Sequence, residues 1–225
     1  MKIDNDTLVI LKNFSTIDQS ILVEEGNVLK AFDHKTQTIF AKATVKEHFP
    51  RFAIHNLNRF LSVLSLFNDP NLDFSDKFVN ITDASGKSLF YTYAEESTIH
   101  GPPSKDINFP RSDVSFKLTN IIFKDIIKAA AVLEMSEILI VGNGEEILIQ
   151  TSDIKNPSGD IYSIKVGETE KEFRFIFKLD NLKTLPLDYD VEICYKGPKN
   201  GGLTKFKHDN IEYYIAIEKT STFKD

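Results

Sequence analysis

The chain has 225 residues, of which 41% are hydrophobic and 11% aromatic, so it can fill a folded core and is not mainly disordered. No run approaches the ~18 apolar residues that a membrane-spanning helix needs. Lys2, Asp4 and Asp6 argue against a signal peptide. The single cysteine, Cys194, cannot form an internal disulfide and favours a reducing compartment. The net charge of −6 argues against nucleic-acid binding unless the charges are unevenly distributed.

The first half of the chain predicts two helices among short strands. Asp6 is the expected cap of a first helix, which would bury Ile10, Phe14 and Ile17 on one side. Behind an Asn56 cap, a second helix follows the i, i+3, i+4, i+7 pattern at Leu57, Phe60, Leu61 and Leu64. Apolar runs bounded by turn residues predict strands at Ser20 to Val23, Val28 to Phe32, Val79 to Thr82 and Ser88 to Tyr93. Gly26-Asn27 suits a hairpin turn.

The second half predicts two more helices. Phe123, Ile126, Ile127 and Ala130 repeat the helical spacing, and a short fourth helix is expected from Asp180 to Leu185, ended by Pro186. Strands are predicted at Glu137 to Val141, Ile147 to Thr151, Phe173 to Phe177, Tyr189 to Tyr195 and Tyr213 to Glu218. Gly142-Asn143-Gly144 suits a hairpin turn between the first two of these strands.

The two halves resemble each other in element order. Leu11-x-x-Phe14-x-x-Ile17 and the strands after it have a counterpart 116 to 118 residues later, beginning at Ile127-x-x-Ala130-x-x-Leu133. This order indicates an internal duplication, although short α/β patterns also resemble one another by chance. We expect two domains, residues 1–106 and 107–225, with a Pro- and Gly-containing linker at about 99–110.

The charges are sorted by element. The four predicted helices carry five cations against Asp125 and Asp180, a net +3, so the rest of the chain carries −9; the cations are Lys12, Arg59, Lys124, Lys128 and Lys183. Lys12 and Arg59 point away from the apolar sides of their helices. Basic helices would suit a surface that meets phosphates. Ordinary solvated helix faces are the alternative explanation.

Motifs of catalysis and metal binding are not found. Gly86-Lys87-Ser88 lacks the first glycine and the following helix of a phosphate-binding loop, so we interpret it as a turn. The five histidines do not have metal-ligand spacing, and Cys194 does not belong to a CxxC pair. We therefore expect no metal, no cofactor and no enzymatic activity, although catalytic groups can assemble from distant positions.

Several segments are similar to the trimeric DNA sliding clamps of large tailed phages. Leu11-Lys12-Asn13-Phe14 and Leu57-Asn58-x-Phe60-Leu61 resemble the first two helices of that family. Ile107-x-Phe109-Pro110 resembles its interdomain segment, and Lys205-Phe206 and the strand Tyr213 to Glu218 are also similar. The resemblance extends over nearly the whole chain and depends on the order and spacing of these segments.

The resemblance implies an α+β protein with two similar domains of the DNA-clamp (processivity) fold, which have helices on one face of antiparallel sheets. Three copies would close into a ring around duplex DNA. A clamp loader ATPase would open the ring, which would then tether the DNA polymerase in the cytoplasm of the infected bacterial host. The implied phosphate-facing residues are Lys12, Arg59, Lys124, Lys128 and Lys183.

The resemblance also implies a partner site for a short hydrophobic tail. Tyr91, Ile107, Phe109 and Pro110 match positions of that region, and a packed linker is the alternative for them. Two other functions remain open on the sequence. One is a β-rich virion or adaptor protein without DNA binding, and the other is a small hydrolase with an unrecognised site.

Overall fold

The computed structural model describes residues 1–103, 105–153 and 159–224. The chain divides into two compact units, Met1–Asp106 (unit 1) and Ile107–Asp225 (unit 2). Both units combine helices with antiparallel strands, as expected for an α+β protein. No helix of the described chain is both long and apolar enough to cross a membrane.

Unit 1 contains two α-helices and seven strands among its described residues. The helices are α1 (Asn5–Ile17) and α2 (Leu57–Leu64). The strands are β1 (Ile21–Val23), β2 (Gly26–Phe32), β3 (Ile39–Phe49), β4 (Phe52–Ile54), β5 (Asn71–Phe74), β6 (Phe78–Thr82) and β7 (Ser88–Thr92). Strand β1 pairs with β4, β2 pairs with β3, and β5, β6 and β7 form a meander, all antiparallel.

The start of α1 differs from the prediction. Asp4, not Asp6, is the N-cap: its backbone is extended, and its Oδ1 accepts the backbone N–H of Asp6 at 2.9 Å. Asp6 lies instead in the first turn, where a negative charge favours the helix dipole. The predicted Asn56 cap of α2 is confirmed, because its side chain accepts the N–H of Arg59 at 2.9 Å.

Gly26-Asn27 does not form the predicted hairpin turn. Both residues belong to β2, and the register of β2 against β3 shifts between Gly26 and Val28. Gly26 has φ +127°, a conformation that a residue with a Cβ rarely adopts, so it fits such a bulge. The predicted turn at Gly86-Lys87-Ser88 is confirmed, since it joins the paired strands β6 and β7. Of the predicted turn Gly142-Asn143-Gly144, the first two residues belong to the strand Glu137–Asn143, and only Gly144 lies in the turn to the next strand, Glu146–Ser152.

Unit 2 contains one α-helix, α3 (Asn120–Val132), in its described part, and Thr119 is the N-cap. Its strands are β8 (Val114–Leu118), β9 (Glu137–Asn143), β10 (Glu146–Ser152), β11 (Ile161–Glu168), β12 (Glu172–Lys178), β13 (Tyr189–Tyr195), β14 (Gly202–His208), β15 (Ile211–Ile217) and β16 (Thr222–Lys224). One antiparallel sheet has the order β11-β10-β9-β12-β16. The other four strands of unit 2 also pair with one another in an antiparallel arrangement, in the order β8-β13-β14-β15.

The predicted fourth helix is wrong. Only the 3-10 turn Leu179–Asn181 forms, and Lys183 lies beyond it. Leu185 precedes Pro186, and a residue before proline is disfavoured in the α conformation. The N–H of Leu185 instead donates to the hydroxyl of Tyr213 at 3.2 Å, on β15. Because these constraints act against a helix, the segment turns directly toward β13.

The duplication is confirmed at the level of topology. In both units a helix is followed by four strands, of which the first pairs with the fourth and the second with the third. A helical segment and a three-stranded meander follow in both. The segment before the helix is also equivalent: the N–H of Leu72 on β5 donates to Met1 O at 2.8 Å, and β8 pairs with β13.

Each helix buries the apolar side that its sequence predicts. Ile10, Phe14 and Ile17 of α1 are buried, as are Phe123, Ile126 and Ala130 of α3. On α2 the buried residues are Leu57, Phe60 and Leu64. The Oγ of Ser15 on α1 donates to Oδ1 of Asn58 on α2 at 2.8 Å, which links the two helices of unit 1. The opposite sides of the helices stay exposed and carry charged residues.

Candidate nucleic-acid interface and partner surface

Four of the five predicted phosphate-facing cations lie on exposed helix surfaces. Lys12 is exposed on α1, Arg59 on α2, and Lys124 and Lys128 on α3. Each of these helices turns its buried side to its own unit, so the cations project into solvent. Lys183 differs, because it is half-buried and lies outside any α-helix.

The helices are less basic than the sequence predicts. With the observed helix bounds, four cations stand against two acids, a net charge of +2 on the helices. The cations are Lys12, Arg59, Lys124 and Lys128, and the acids are Asp6 and Asp125. Because the whole chain carries −6, the residues outside the helices carry −8. The difference arises because α1 begins early enough to include Asp6. Loss of the predicted fourth helix removes Lys183 and Asp180 together and leaves the net charge of the helices unchanged. The helices are still net positive and the rest of the chain net negative, but the helix surfaces are only weakly positive.

Tyr91 and Arg59 lie in the same cleft of unit 1. The sequence analysis did not predict that these two residues are close together. The cleft has a volume of about 650 Å³ and is lined by residues of α2 and β7, among them Arg59, Val63, Phe90 and Tyr91. The Tyr91 ring meets Phe60 edge-on with centroids 5.1 Å apart. Burial raises the pKa of Tyr91, and the nearby Arg59 charge opposes that shift.

Ile107, Phe109 and Pro110 lie at the beginning of unit 2. Ile107 and Phe109 are half-buried, and Pro110 is exposed. The Phe109 ring lies 6.3 Å from the Tyr214 ring on β15, and Lys205 Nζ on β14 is 5.2 Å from the Phe109 centroid. Lys205 also forms a 2.6 Å ion pair with Glu192 on β13. Phe109 therefore packs on the charged surface of this sheet while part of its ring stays accessible.

Two edge strands expose large apolar side chains, which the sequence analysis missed. On β7, which pairs only with β6 among the described strands, Phe90 is 64% exposed. On β11, whose one described neighbour is β10, Ile161 is 58% and Tyr162 39% exposed. No other strand of the described chain exposes a large hydrophobic residue to this degree. An edge strand with apolar side chains is a surface suited to pairing with another chain.

Metal ligands are not clustered in the part of the chain that the structure describes: no group of three or more His, Cys, Asp or Glu side chains could hold an ion. His34 and His100 lie 5.5 Å apart by ring centroids, but they form only a pair. Cys194 is buried on β13, and its burial raises the pKa of the thiol, which disfavours the reactive thiolate.

Comparisons with known proteins agree with this architecture. The family described as "gp45 sliding clamp, C terminal" matches residues 116–219. The sliding clamp of Vibrio phage KVP40 is 31% identical over 97% of this chain and 99% of its own length. That of Enterobacteria phage T4 is 29% identical over 99% of both chains. The crystal structure of proliferating cellular nuclear antigen from Entamoeba histolytica superposes with a TM-score of 0.68 at 14% identity, covering 94% of each chain. The chain therefore belongs to the phage sliding-clamp family and has the clamp fold.

Proposed function

We propose how this DNA sliding clamp works: three copies close into a ring around duplex DNA and hold the replicative DNA polymerase on its template. The work of such a ring is topological, so the proposal assigns it no catalytic step, metal or cofactor. A clamp loader ATPase opens and closes the ring. The setting is the cytoplasm of an infected bacterial cell.

The observation that carries ring closure is the pair of apolar edge strands, one in each unit. In a head-to-tail assembly, β7 of one copy meets β11 of the next, and Phe90 is covered by residues such as Ile161 and Tyr162. Contacts between two different surfaces of one chain form a closed ring when the rotation between copies divides the circle. Three two-unit copies would supply six units to the ring.

The helix cations supply the contact with DNA. Lys12, Arg59, Lys124 and Lys128 are exposed on the helices and are assigned to the phosphates. Lys183 is a weaker candidate, because it lies outside the helices. With Asp6 and Asp125 nearby, each copy offers few net positive charges. Since DNA affinity grows with the number of phosphates neutralised, a weakly positive surface binds the phosphates weakly and so allows the ring to slide along DNA.

The partner surface is assigned to Tyr91, Ile107, Phe109 and Pro110. Phe109 supports this assignment, because part of its ring stays accessible while Tyr214 and Lys205 hold it in place. The domains 1–106 and 107–225, with the linker at about 99–110, are assigned to the two halves of one protomer.

Primer extension tests the proposal directly. The cognate polymerase and loader are given a primed circular template with excess competitor DNA, so that each polymerase binds only once. Addition of this protein should lengthen the products well beyond those of the polymerase alone. Products of unchanged length, with an active loader, would overturn the proposed function.

A further inference from the structure

Two lysines of unit 1 face each other directly across a β-ladder. Lys30 on β2 and Lys42 on β3 are partners in the antiparallel register, and their side chains are only 20% and 30% exposed. Like charges directly opposite on paired strands repel each other. A half-buried pair of this kind is stabilised when an anion bridges it, so the ladder itself forms an anion site.

Asp106 supplies that anion. Its Oδ1 accepts from Lys30 Nζ at 2.8 Å, and its Oδ2 accepts from Lys42 Nζ at 2.7 Å. Hydrogen bonds from Lys30 and then Lys42 lower the pKa of Asp106 to about 2, so the carboxylate stays charged at neutral pH. The Asp106 side chain is nevertheless 58% exposed, so another carboxylate can reach the lysines.

The residues that lead to Asp106 pack against the rest of unit 1. Ile99 is buried, the His100 ring lies 5.5 Å from that of His34, and a Cβ on Gly101 would meet Leu22 Cδ2 at 2.9 Å. Residues 99–103, here called the strap, therefore contact the unit closely. The ion pairs of Asp106 fasten the strap just before the unit boundary.

A cleft of about 260 Å³ lies beside the lysines. Leu22, Val28 and Pro102 form its apolar wall, and Lys30, Lys42 and Asp106 form its charged end. Glu24 and Glu25 also line it, and Glu24 is ion-paired with Arg51. A cleft this small accepts a few residues rather than a long segment, and its combination of apolar wall and paired ammonium groups fits a chain end that carries a free carboxylate.

We propose that Lys30 and Lys42 form a binding site for the terminal carboxylate of a partner tail, and that Asp106 occupies this site until the tail displaces it. The inference rests on the proposed function, because the tail is that of a clamp partner. Displacement of Asp106 releases the strap from the rest of unit 1. The internal carboxylate thus competes with the partner and lowers its affinity.

The probe is a peptide of the last twelve residues of the cognate polymerase, made as the free acid and as the C-terminal amide, and titrated into the full chain by calorimetry. Asp106→Asn should bind the free acid several-fold more tightly than the parent. The amide should bind several-fold more weakly than the acid to both proteins. Lys30→Gln with Lys42→Gln should remove the difference between acid and amide. Asp69→Asn, which removes an exposed charge paired with Lys2, is the matched control and should leave all affinities unchanged.

Hydrogen exchange measured by mass spectrometry provides a second, independent readout. Exchange at residues 99–101 should rise in Asp106→Asn and also in the parent saturated with the free-acid peptide. Equal affinity of acid and amide for the parent, or a strap whose exchange does not respond to Asp106→Asn, would overturn the inference. Retention of the ring on circular DNA does not depend on this site, so a failure here is distinguishable from failure of the proposed function.

Discussion

The hydroxyl of Thr7 donates a 2.6 Å hydrogen bond to the carboxylate of Glu47, and both side chains are buried. Glu47 lies on β3, and its other oxygen accepts the backbone N–H of Asp4, the cap residue of α1. One carboxylate therefore fixes the beginning of α1 to the strand beneath it. Together with the buried apolar side of the helix, this contact holds α1, and with it Lys12 on the outer surface, in place on unit 1.

Glu47→Leu should destabilise the protein by about 1–3 kcal/mol, because it leaves a buried hydroxyl and a partly buried N–H without their acceptor. Urea unfolding followed by circular dichroism measures the change. Glu47→Gln keeps one acceptor oxygen and should lose less. Glu25→Leu, at an exposed position of the same unit, is the control. An unfolding midpoint that Glu47→Leu leaves unchanged would show that this contact does not hold α1.

Phe90→Glu should weaken self-association without weakening the fold. The side chain is 64% exposed on the edge strand β7, so the substitution disturbs little within unit 1 but introduces a charge into the proposed seam. Sedimentation of the parent should give about three times 25.6 kDa at high concentration. The variant should sediment as a monomer at concentrations where the parent is a trimer.

Val9→Glu is the matched control for the seam, since Val9 is 51% exposed but lies on α1. It should leave the trimer mass unchanged. A parent that remains a monomer at every concentration would contradict the ring, and a Phe90→Glu trimer as stable as the parent would remove β7 from the seam.

Phe109→Ala should weaken binding of the polymerase-tail peptide by roughly ten- to a hundredfold. Burying a Phe-sized group contributes about 1.5–3 kcal/mol, and about 1.4 kcal/mol corresponds to a factor of ten. Peptide titration measures the affinity, and a melting curve of the same variant measures its stability. Phe78→Ala, a half-buried phenylalanine of unit 1, is the control for loss of a ring. If stability falls while peptide affinity is unchanged, Phe109 only packs against Tyr214 and Lys205.

Lys12→Glu combined with Arg59→Glu should impair loading onto DNA and leave the trimer mass unchanged. Both residues are exposed on helices, so their reversal alters the charge near the phosphates and not the core. Lys35→Glu combined with Lys77→Glu, at exposed positions in the turns after β2 and β5, changes the net charge by the same amount and is the control. Loader-dependent retention on nicked circular DNA is the measurement. Equal loading of the double variant and the control would show that Lys12 and Arg59 do not contribute to the DNA-binding surface.

Periodicity and capping residues predicted much of the fold. The stripe of α2 and its Asn56 cap are local patterns, and the observed helix follows them. The prediction of a fourth helix was wrong because the Tyr213 hydroxyl, distant in sequence, accepts the backbone N–H of Leu185 within the predicted segment. The cap of α1 was misassigned to Asp6, two residues beyond the true cap Asp4. In the structure the Asp4 side chain accepts the N–H of Asp6, and the N–H of Asp4 donates to Glu47.

The site was less accessible to prediction than the fold. Exposed cations on helix faces follow from helical geometry, so Lys12, Arg59, Lys124 and Lys128 could be found. The contact of Asp106 with Lys30 and Lys42 joins residues 76 and 64 positions apart, which no local pattern reveals. The edge strand β11 was also missed, because its alternation of apolar and polar residues is weak and its edge position depends on the pairing of the whole sheet.

Retention on DNA of different topology tests the central claim most directly. The protein is loaded onto nicked circular DNA, the salt is raised until ordinary phosphate contacts dissociate, and the DNA is then linearised with a restriction enzyme. Gel filtration follows the protein that remains with the DNA before and after the cut. An encircling ring should stay on the circle at high salt and leave after linearisation. Equal retention on circular and linear DNA, or loss from both at the same salt concentration, would contradict encirclement.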